Sequence, residues 1–149
     1  MPHTHANLLA HVIFGTKDRM PLINADRRPH LHAYVGGIAR ELGGKAYVVN
    51  GTSDHIHMLV NLPPALSLSD AVRVIKTNSS RWMKEQREVS KFGWQPGYAA
   101  FSVSQSNVKA VATYIERQEE HHRKISFQDE YVSFLKRHGV EFDERFLWG

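Results

Sequence analysis

Residues 55–62 read HIHMLVNL. The stretch is apolar and β-prone and is closed by Pro63-Pro64, so it reads as a strand. Side chains alternate along a strand, so residues i and i+2 share a face. Ile56, Met58 and Val60 point together toward a core, and His55 and His57 point together the other way. Just upstream, KAYVVNG (45–51) is a second short strand, and Gly43-Gly44 ends the helix before it. That helix starts at Asp26, which serves as its cap, with Pro29 in the first turn. Its core stripe is Leu31, Tyr34, Val35, Ile38 and Leu42. Further out, ANLLAHVIFGT (6–16) is a β-rich run ending at Gly15, followed by the basic loop KDRMPLIN.

On the other side, Ser67 and Asp70 form a capping box. Leu68, Ala71, Val72, Ile75, Ser79 and Trp82 mark one face of the helix they open; Arg73, Lys76, Ser80, Lys84 and Arg87 mark another. After the loop KFGWQPG, YAAFSVS (98–104) is a fourth strand. Ser106 or Asn107 caps a third helix with the stripe Val108, Val111, Ala112 and Ile115. A final helix over about 127–138 stops at Gly139, before the tail VEFDERFLWG. The order β-α-β-β-α-β is the split-βαβ, ferredoxin-like (RRM-like) arrangement of an α+β protein. It predicts a four-stranded antiparallel sheet with helices on one face, C-terminal helices following, and the opposite face left free to work.

The chain has 149 residues, 42% hydrophobic and 23% charged, and is expected to form one domain spanning 1–149. It has no cysteine, which excludes disulfides and thiolate metal sites and fits a reducing compartment. Neither a signal peptide nor a membrane span is legible, the latter needing ~20 apolar residues. The net charge of +4 leans toward a polyanionic partner.

Two imidazoles on adjacent same-face positions can converge on one cation; the plain alternative is a pair of polar residues on a solvated sheet. In the third helix, VKAVATYIERQEEHHRK, Tyr114 and Gln118 lie one turn apart. They are displaced by ~100° from Ile115 and so flank the buried stripe, a flank that His121 continues. Periodicity alone would leave Tyr114 at the core margin and Gln118 in solvent.

Taken together these segments resemble the HUH single-tyrosine transposases of the smallest bacterial insertion sequences (IS200-like), a family that includes relatives associated with repetitive palindromes. The resemblance is carried by HVIFGTKDR (11–19), SDHIHMLVNLPP (53–64), LSDAVRVIKTNSSRWM (68–83), WQPGYAAFSVS (94–104) and YIERQEEHHRKISF (114–127). It implies that His55, His57 and Gln118 hold a divalent cation and that Tyr114 attacks single-stranded DNA. A covalent 5′-phosphotyrosine and a released 3′-hydroxyl would follow. It further implies a homodimer, substrate ends that contain hairpins, and a cytoplasmic, nucleoid-associated protein of a bacterium or archaeon. Strand YAAFSVS is the candidate edge for subunit pairing.

The chemistry is coherent. A cation on a non-bridging phosphate oxygen withdraws charge and steadies the transition state. Imidazole accepts many metals, but a neutral amide oxygen and a phosphate substrate suit Mg²⁺ or Mn²⁺. A phenol with an ordinary pKa near ~10 is a slow nucleophile, and a nearby cation favours its phenolate. A covalent intermediate conserves the bond for later resealing. Asp54, His121 and a bound water stand as candidate bases or orienting groups. Lys17, Arg19, Arg73, Lys76, Arg81 and Lys84 are candidate contacts to a single-stranded backbone. A non-catalytic RNA-binding module is disfavoured because its central strands carry stacking aromatics and HIHMLVNL has none. A metal-dependent phosphodiester hydrolase and a domesticated palindrome-processing relative remain as alternatives.

Overall fold

Strand β3 (His55–Leu62) lies at the middle of the sheet, antiparallel to β1 (Leu8–Gly15) on one side and to β2 (Lys45–Gly51) on the other. A short β4 (Ala99–Ser102) pairs with the far side of β1, giving the order β2-β3-β1-β4. The computed structural model describes residues 3–85 and 91–148; Arg87, expected on the polar face of the second helix, lies outside the described residues. The connections are α1 (Arg28–Glu41) between β1 and β2, and α2 (Leu68–Glu85) between β3 and β4. This is the expected split-βαβ α+β arrangement. After β4 come α3 (Val108–Glu116), α4 (Gln118–His121) and α5 (Phe127–Arg137).

Alternation sorts the sheet into two faces. Val12, Phe14, Ile56, Met58 and Val60 meet Leu31, Val35 and Ile38 of α1 and Val72 and Ile75 of α2 in one core. Trp82 sits at the margin of that core, stacked on Tyr34 with ring centroids 5.1 Å apart, and Met83 takes the buried place beside it. The opposite face is not free. Ile13, Ala99 and Phe101 pack under Phe127, Tyr131, Phe134 and Leu135 of α5. The reason is the α5 stripe itself: each such side chain gains ~1.5–3 kcal/mol on burial, and the sheet offers the remaining apolar surface.

Ser67 caps α2 as its sequence predicts, its Oγ accepting from Asp70 N at 3.1 Å. Asp26 is not the cap of α1. The chain instead turns at Asn24, whose Oδ1 accepts from Arg27 N at 2.8 Å, and Arg27 takes the cap position without a side-chain bond. Asn107 holds the cap position of α3, also without one. The helix expected to run unbroken through Tyr114 and Gln118 is interrupted at Arg117 (φ −98°, ψ 20°). Asn50 of β2 donates to the carbonyls of Ile115 and Glu116 at 2.9 and 3.1 Å, satisfying groups that a helix end leaves orphaned.

Candidate functional site

His55 and His57 are fully buried on the face covered by α3, α4 and α5. Each ring is held from behind. His55 Nδ1 lies 2.8 Å from Asp54 Oδ1 and 3.0 Å from Thr52 Oγ1. His57 Nδ1 lies 2.8 Å from Nε2 of His11, which β1 presents on the same face. Such bonds fix ring orientation and direct both Nε2 atoms inward. Phe127 closes the site from above, stacked on His55 with centroids 4.2 Å apart. It comes that close because position 15, opposite His55 in the ladder, is glycine.

Opposite the imidazoles stand side chains from the C-terminal helices. Gln118 opens α4, and its Oε1 lies 2.9 Å from Nε2 of both His55 and His122. Glu130 of α5 sits at the centre with 2% of its surface exposed. Its Oε1 accepts from His57 Nε2 at 2.8 Å and from His122 Nε2 at 3.1 Å. Its Oε2 accepts from the Tyr114 hydroxyl and from Gln118 Nε2 at 3.2 Å, and lies 3.2 Å from His121 Nε2. The Tyr114 oxygen is itself 3.2 Å from His121 Nε2.

Burial alone would raise the Glu130 carboxyl, but the hydrogen bonds from His122 and His57 outweigh it and hold the group far below the usual carboxylate range. His57 is lowered to about 4, burial outweighing the neighbouring carboxylate, and so is neutral at pH 7. In its hydrogen bond to Glu130, His57 Nε2 donates and Nδ1 accepts from His11; the other tautomer, with Nδ1 donating to His11, frees Nε2 for a cation. Burial, with Glu130 adding to it, pushes the Tyr114 phenol well above its ordinary value. Burial likewise lowers His11 to about 3.

The donor set fits a divalent cation. Ligand atoms of His55, His57, His122 and Glu130 lie within 4.8 Å of one another. His55 Nδ1 is held 2.8 Å from Asp54 Oδ1, and Nε2 lies 2.9 Å from the Gln118 carbonyl oxygen. An imidazole nitrogen and an amide oxygen set side by side, with a buried carboxylate beyond them, are donors that a shared cation can use.

The sequence model of the family described as "Transposase IS200 like" matches residues 4–118. The chain belongs to that family. Among its relatives, the transposase for insertion sequence element IS200 of Salmonella typhimurium is 30% identical over 128 residues, covering 79% of this chain and 81% of the relative. The ISDra2 transposase of Deinococcus radiodurans is 26% identical over 114 residues, covering 72% of this chain and 81% of that one. Two solved structures share the fold. A Deinococcus radiodurans R1 crystal structure, assigned as a transposase, has a TM-score of 0.63 at 23% identity and covers 79% of this chain and 95% of its own. A REP-associated tyrosine transposase bound to a REP hairpin has a TM-score of 0.60 at 13% identity, covering 100% and 96%. Family membership makes the protein a transposase and a DNA-processing enzyme. Among the described residues no helix is long and apolar enough to cross a membrane.

Of the site residues expected from sequence, His55, His57, Gln118 and Tyr114 converge, Asp54 backs His55, and His121 flanks the phenol. Three further groups of this IS200-like transposase escaped the reading: His11, His122 and Glu130. His122 is one turn beyond Gln118, and Glu130 lies three residues after Phe127 and four before Phe134, on the apolar stripe of α5. An acid on an apolar stripe was the available signal. The candidate DNA contacts do not form one cluster with the site. Lys76 Nζ is engaged by the carbonyls of Gln95 and Gly97 at 2.5 and 2.9 Å, and burial lowers it to about 8. The Arg19 guanidinium lies 4.7 Å over the Trp148 ring, and Arg73 reaches Asp70 at 3.7 Å. Lys17, Arg81 and Lys84 are exposed.

Proposed function

We propose that this transposase cleaves and rejoins single-stranded DNA by attack of Tyr114 on a phosphodiester, assisted by a divalent cation bound through His55 Nε2, His57 Nε2 and Gln118 Oε1. The observation that carries the reading is the convergence of a tyrosine hydroxyl and two strand-borne imidazoles on one buried carboxylate within a single chain. His122 and Glu130 lie within reach as additional ligands. Imidazoles with oxygen donors suit Mn²⁺ or Mg²⁺. When bound, the ion would draw charge from a non-bridging phosphate oxygen and orient the phosphate.

The chain's own groups do the rest. Tyr114 gives up its hydroxyl proton to solvent and forms its O–P bond as the P–O3′ bond breaks; the departing O3′ takes up a proton from solvent, leaving a 5′-phosphotyrosine and a 3′-hydroxyl. His121 stands 3.2 Å from the phenol oxygen, where an imidazole N–H steadies a phenolate. Asp54 orients His55 rather than acting on the phenol. A later 3′-hydroxyl attacks the phosphotyrosine and restores the phosphodiester without an external energy source. Hairpin-containing element ends are the proposed substrate; a REP-associated relative of the same fold was solved with a hairpin. Each subunit makes one cleavage at a time and excision needs two, so the acting form is a homodimer, working on the nucleoid in the cytoplasm. Lys17, Arg81 and Lys84, exposed and cationic, are proposed to steady the DNA backbone.

The test incubates the protein with single-stranded DNA from its gene's flanks and Mg²⁺ or Mn²⁺ and looks for a protein–DNA adduct on a denaturing gel. An adduct that disappears with EDTA and in Tyr114→Phe is expected. Cleavage that survives Tyr114→Phe without any adduct would instead identify a metal-dependent hydrolase.

A further inference from the structure

The family match ends at residue 118, yet the group that joins the two halves of the site comes from α5, beyond it. Glu130 is buried among titratable side chains and divides its two oxygens between them. Oε1 faces the imidazoles, 2.8 Å from His57 Nε2, 3.1 Å from His122 Nε2 and 3.7 Å from His55 Nε2. Oε2 takes the hydrogen bond of the Tyr114 hydroxyl. Glu130 thereby bonds the phenol and His57 through one carboxylate, while Gln118 meets His55 Nε2 at 2.9 Å and Glu130 Oε2 at 3.2 Å and reaches the phenol as well.

We propose that Glu130 is the positioning residue for the nucleophile, its carboxylate docking the Tyr114 hydroxyl against the His55–His57 centre so that one chain assembles its own tyrosine and imidazoles. The inference rests on the reading of Tyr114 as nucleophile and adds the device that orients it. The Tyr114 ring packs at the edge of the α5 core, which places the ring without directing the hydroxyl. Its ring touches His11, His57, His121 and Phe134 only edge-on, with centroids 5.2–6.4 Å apart. Open grooves lie on both sides, one lined by Thr113, Arg117 and Lys124 and the other by Asn107, Val111 and Arg137. Packing places the ring, while hydrogen bonds direct the hydroxyl, and the one to Glu130 ties it to the imidazole centre. Toward the phenol the carboxylate acts through one oxygen, Oε2, as a hydrogen-bond acceptor. What the site needs from position 130 is thus an oxygen in the right place, which glutamine also supplies.

The experiment measures single-turnover adduct formation with the full chain at saturating Mn²⁺, alongside Mn²⁺ affinity by calorimetry and folding by thermal melts. Glu130→Ala is expected to slow the maximal rate at least ~100-fold while the DNA concentration for half-maximal rate stays within about threefold. Glu130→Gln is expected to recover most of the loss, within ~10-fold of wild type. Asp129→Asn, its exposed neighbour on α5, should behave as wild type. The proposal is overturned if Glu130→Ala reacts at the wild-type rate, or if Glu130→Gln is as slow as Glu130→Ala while both are folded. It is also overturned if excess Mn²⁺ restores Glu130→Ala, since the residue would then act through the ion alone. Should Glu130→Ala fail to fold, the Glu130→Gln rate decides by itself: more than ~100-fold slow refutes docking by an acceptor oxygen. A wild-type protein that forms no adduct sinks the tyrosine reading and this inference with it. An active wild type with an indifferent position 130 sinks this inference alone.

Discussion

A methyl group on Gly15 would stand 2.6 Å from Phe127 Cε2 and 3.2 Å from the Asp54 carbonyl. Neither neighbour can yield easily: the ring is fully packed and stacked on His55, and the carbonyl accepts from Thr16 N. Gly15→Ala should therefore cost about 1–3 kcal/mol, seen as a lower thermal midpoint, and should weaken Mn²⁺ binding by disturbing His55. Unchanged melting would mean the α5 helix slides away freely. The buried imidazoles make a second residue-level prediction. His57 and His11 titrate at about 4 and about 3 when folded but near 6.5 in a free chain. As pH falls from 6.5 toward 4, the unfolded chain binds protons that the folded chain refuses, so stability declines with acid over that window. The lowered Asp54 and Glu130 carboxyls extend the decline below their ordinary range. In EDTA, His11→Gln should flatten the slope of unfolding free energy against pH between 6.5 and 4, by up to ~1.4 kcal/mol per pH unit; parallel slopes would refute the assignment. The residues that sequence left unread share one cause. HIH is visible because period two puts its rings together locally, whereas His11, His122 and Glu130 join them only through strand register and helix docking.

Elements were legible where one face alone had to be satisfied. The stripes of α1 and α2 and the alternation of β3 predicted most of their own burial, Tyr34 of the α1 stripe being exposed and stacked on Trp82 instead, and these elements appear with bounds within a few residues of those expected. The break at Arg117 was not legible, because YIERQEEHH holds neither glycine nor proline, and its cause is Asn50 reaching across from β2. Nor was the covering of the second face, since the open face of a split-βαβ sheet and the apolar stripe of α5 are far apart in sequence and only their union hides both. α5 thus acts as a lid built from the fold's own core. Phe127→Ala should separate its two roles. Loss of a buried ring costs ~3–5 kcal/mol, and removing the stack on His55 should weaken Mn²⁺ affinity measured by calorimetry. A stable variant with wild-type affinity would show that α5 merely covers the sheet.

At the scale of the molecule, the sheet order leaves β2 and β4 as edges. On β2, Asn50 anchors the end of α3 over the sheet face. The β4 edge is short, and neither the strand AAFS nor its neighbours Tyr98 and Val103 carry a charge that would repel a second sheet. Val103 N donates to Leu9 O at 3.1 Å, so by alternation the amides of Phe101 and Ala99 also face β1, while those of Ala100 and Ser102 face outward. A proline at position 102 removes an outward donor and leaves the β1 ladder intact. If two copies join through this edge, Ser102→Pro should keep the melting temperature within a few degrees while converting a dimer to a monomer in sedimentation velocity at micromolar concentration. The same variant should retain single-strand cleavage, because Tyr114, Glu130 and both imidazoles come from one chain. It should lose the paired cleavages that excise an element, because those need two tyrosines held together. A variant that stays dimeric would move the interface elsewhere. One that turns monomeric and loses even single cleavage would mean that the working tyrosine is supplied across subunits.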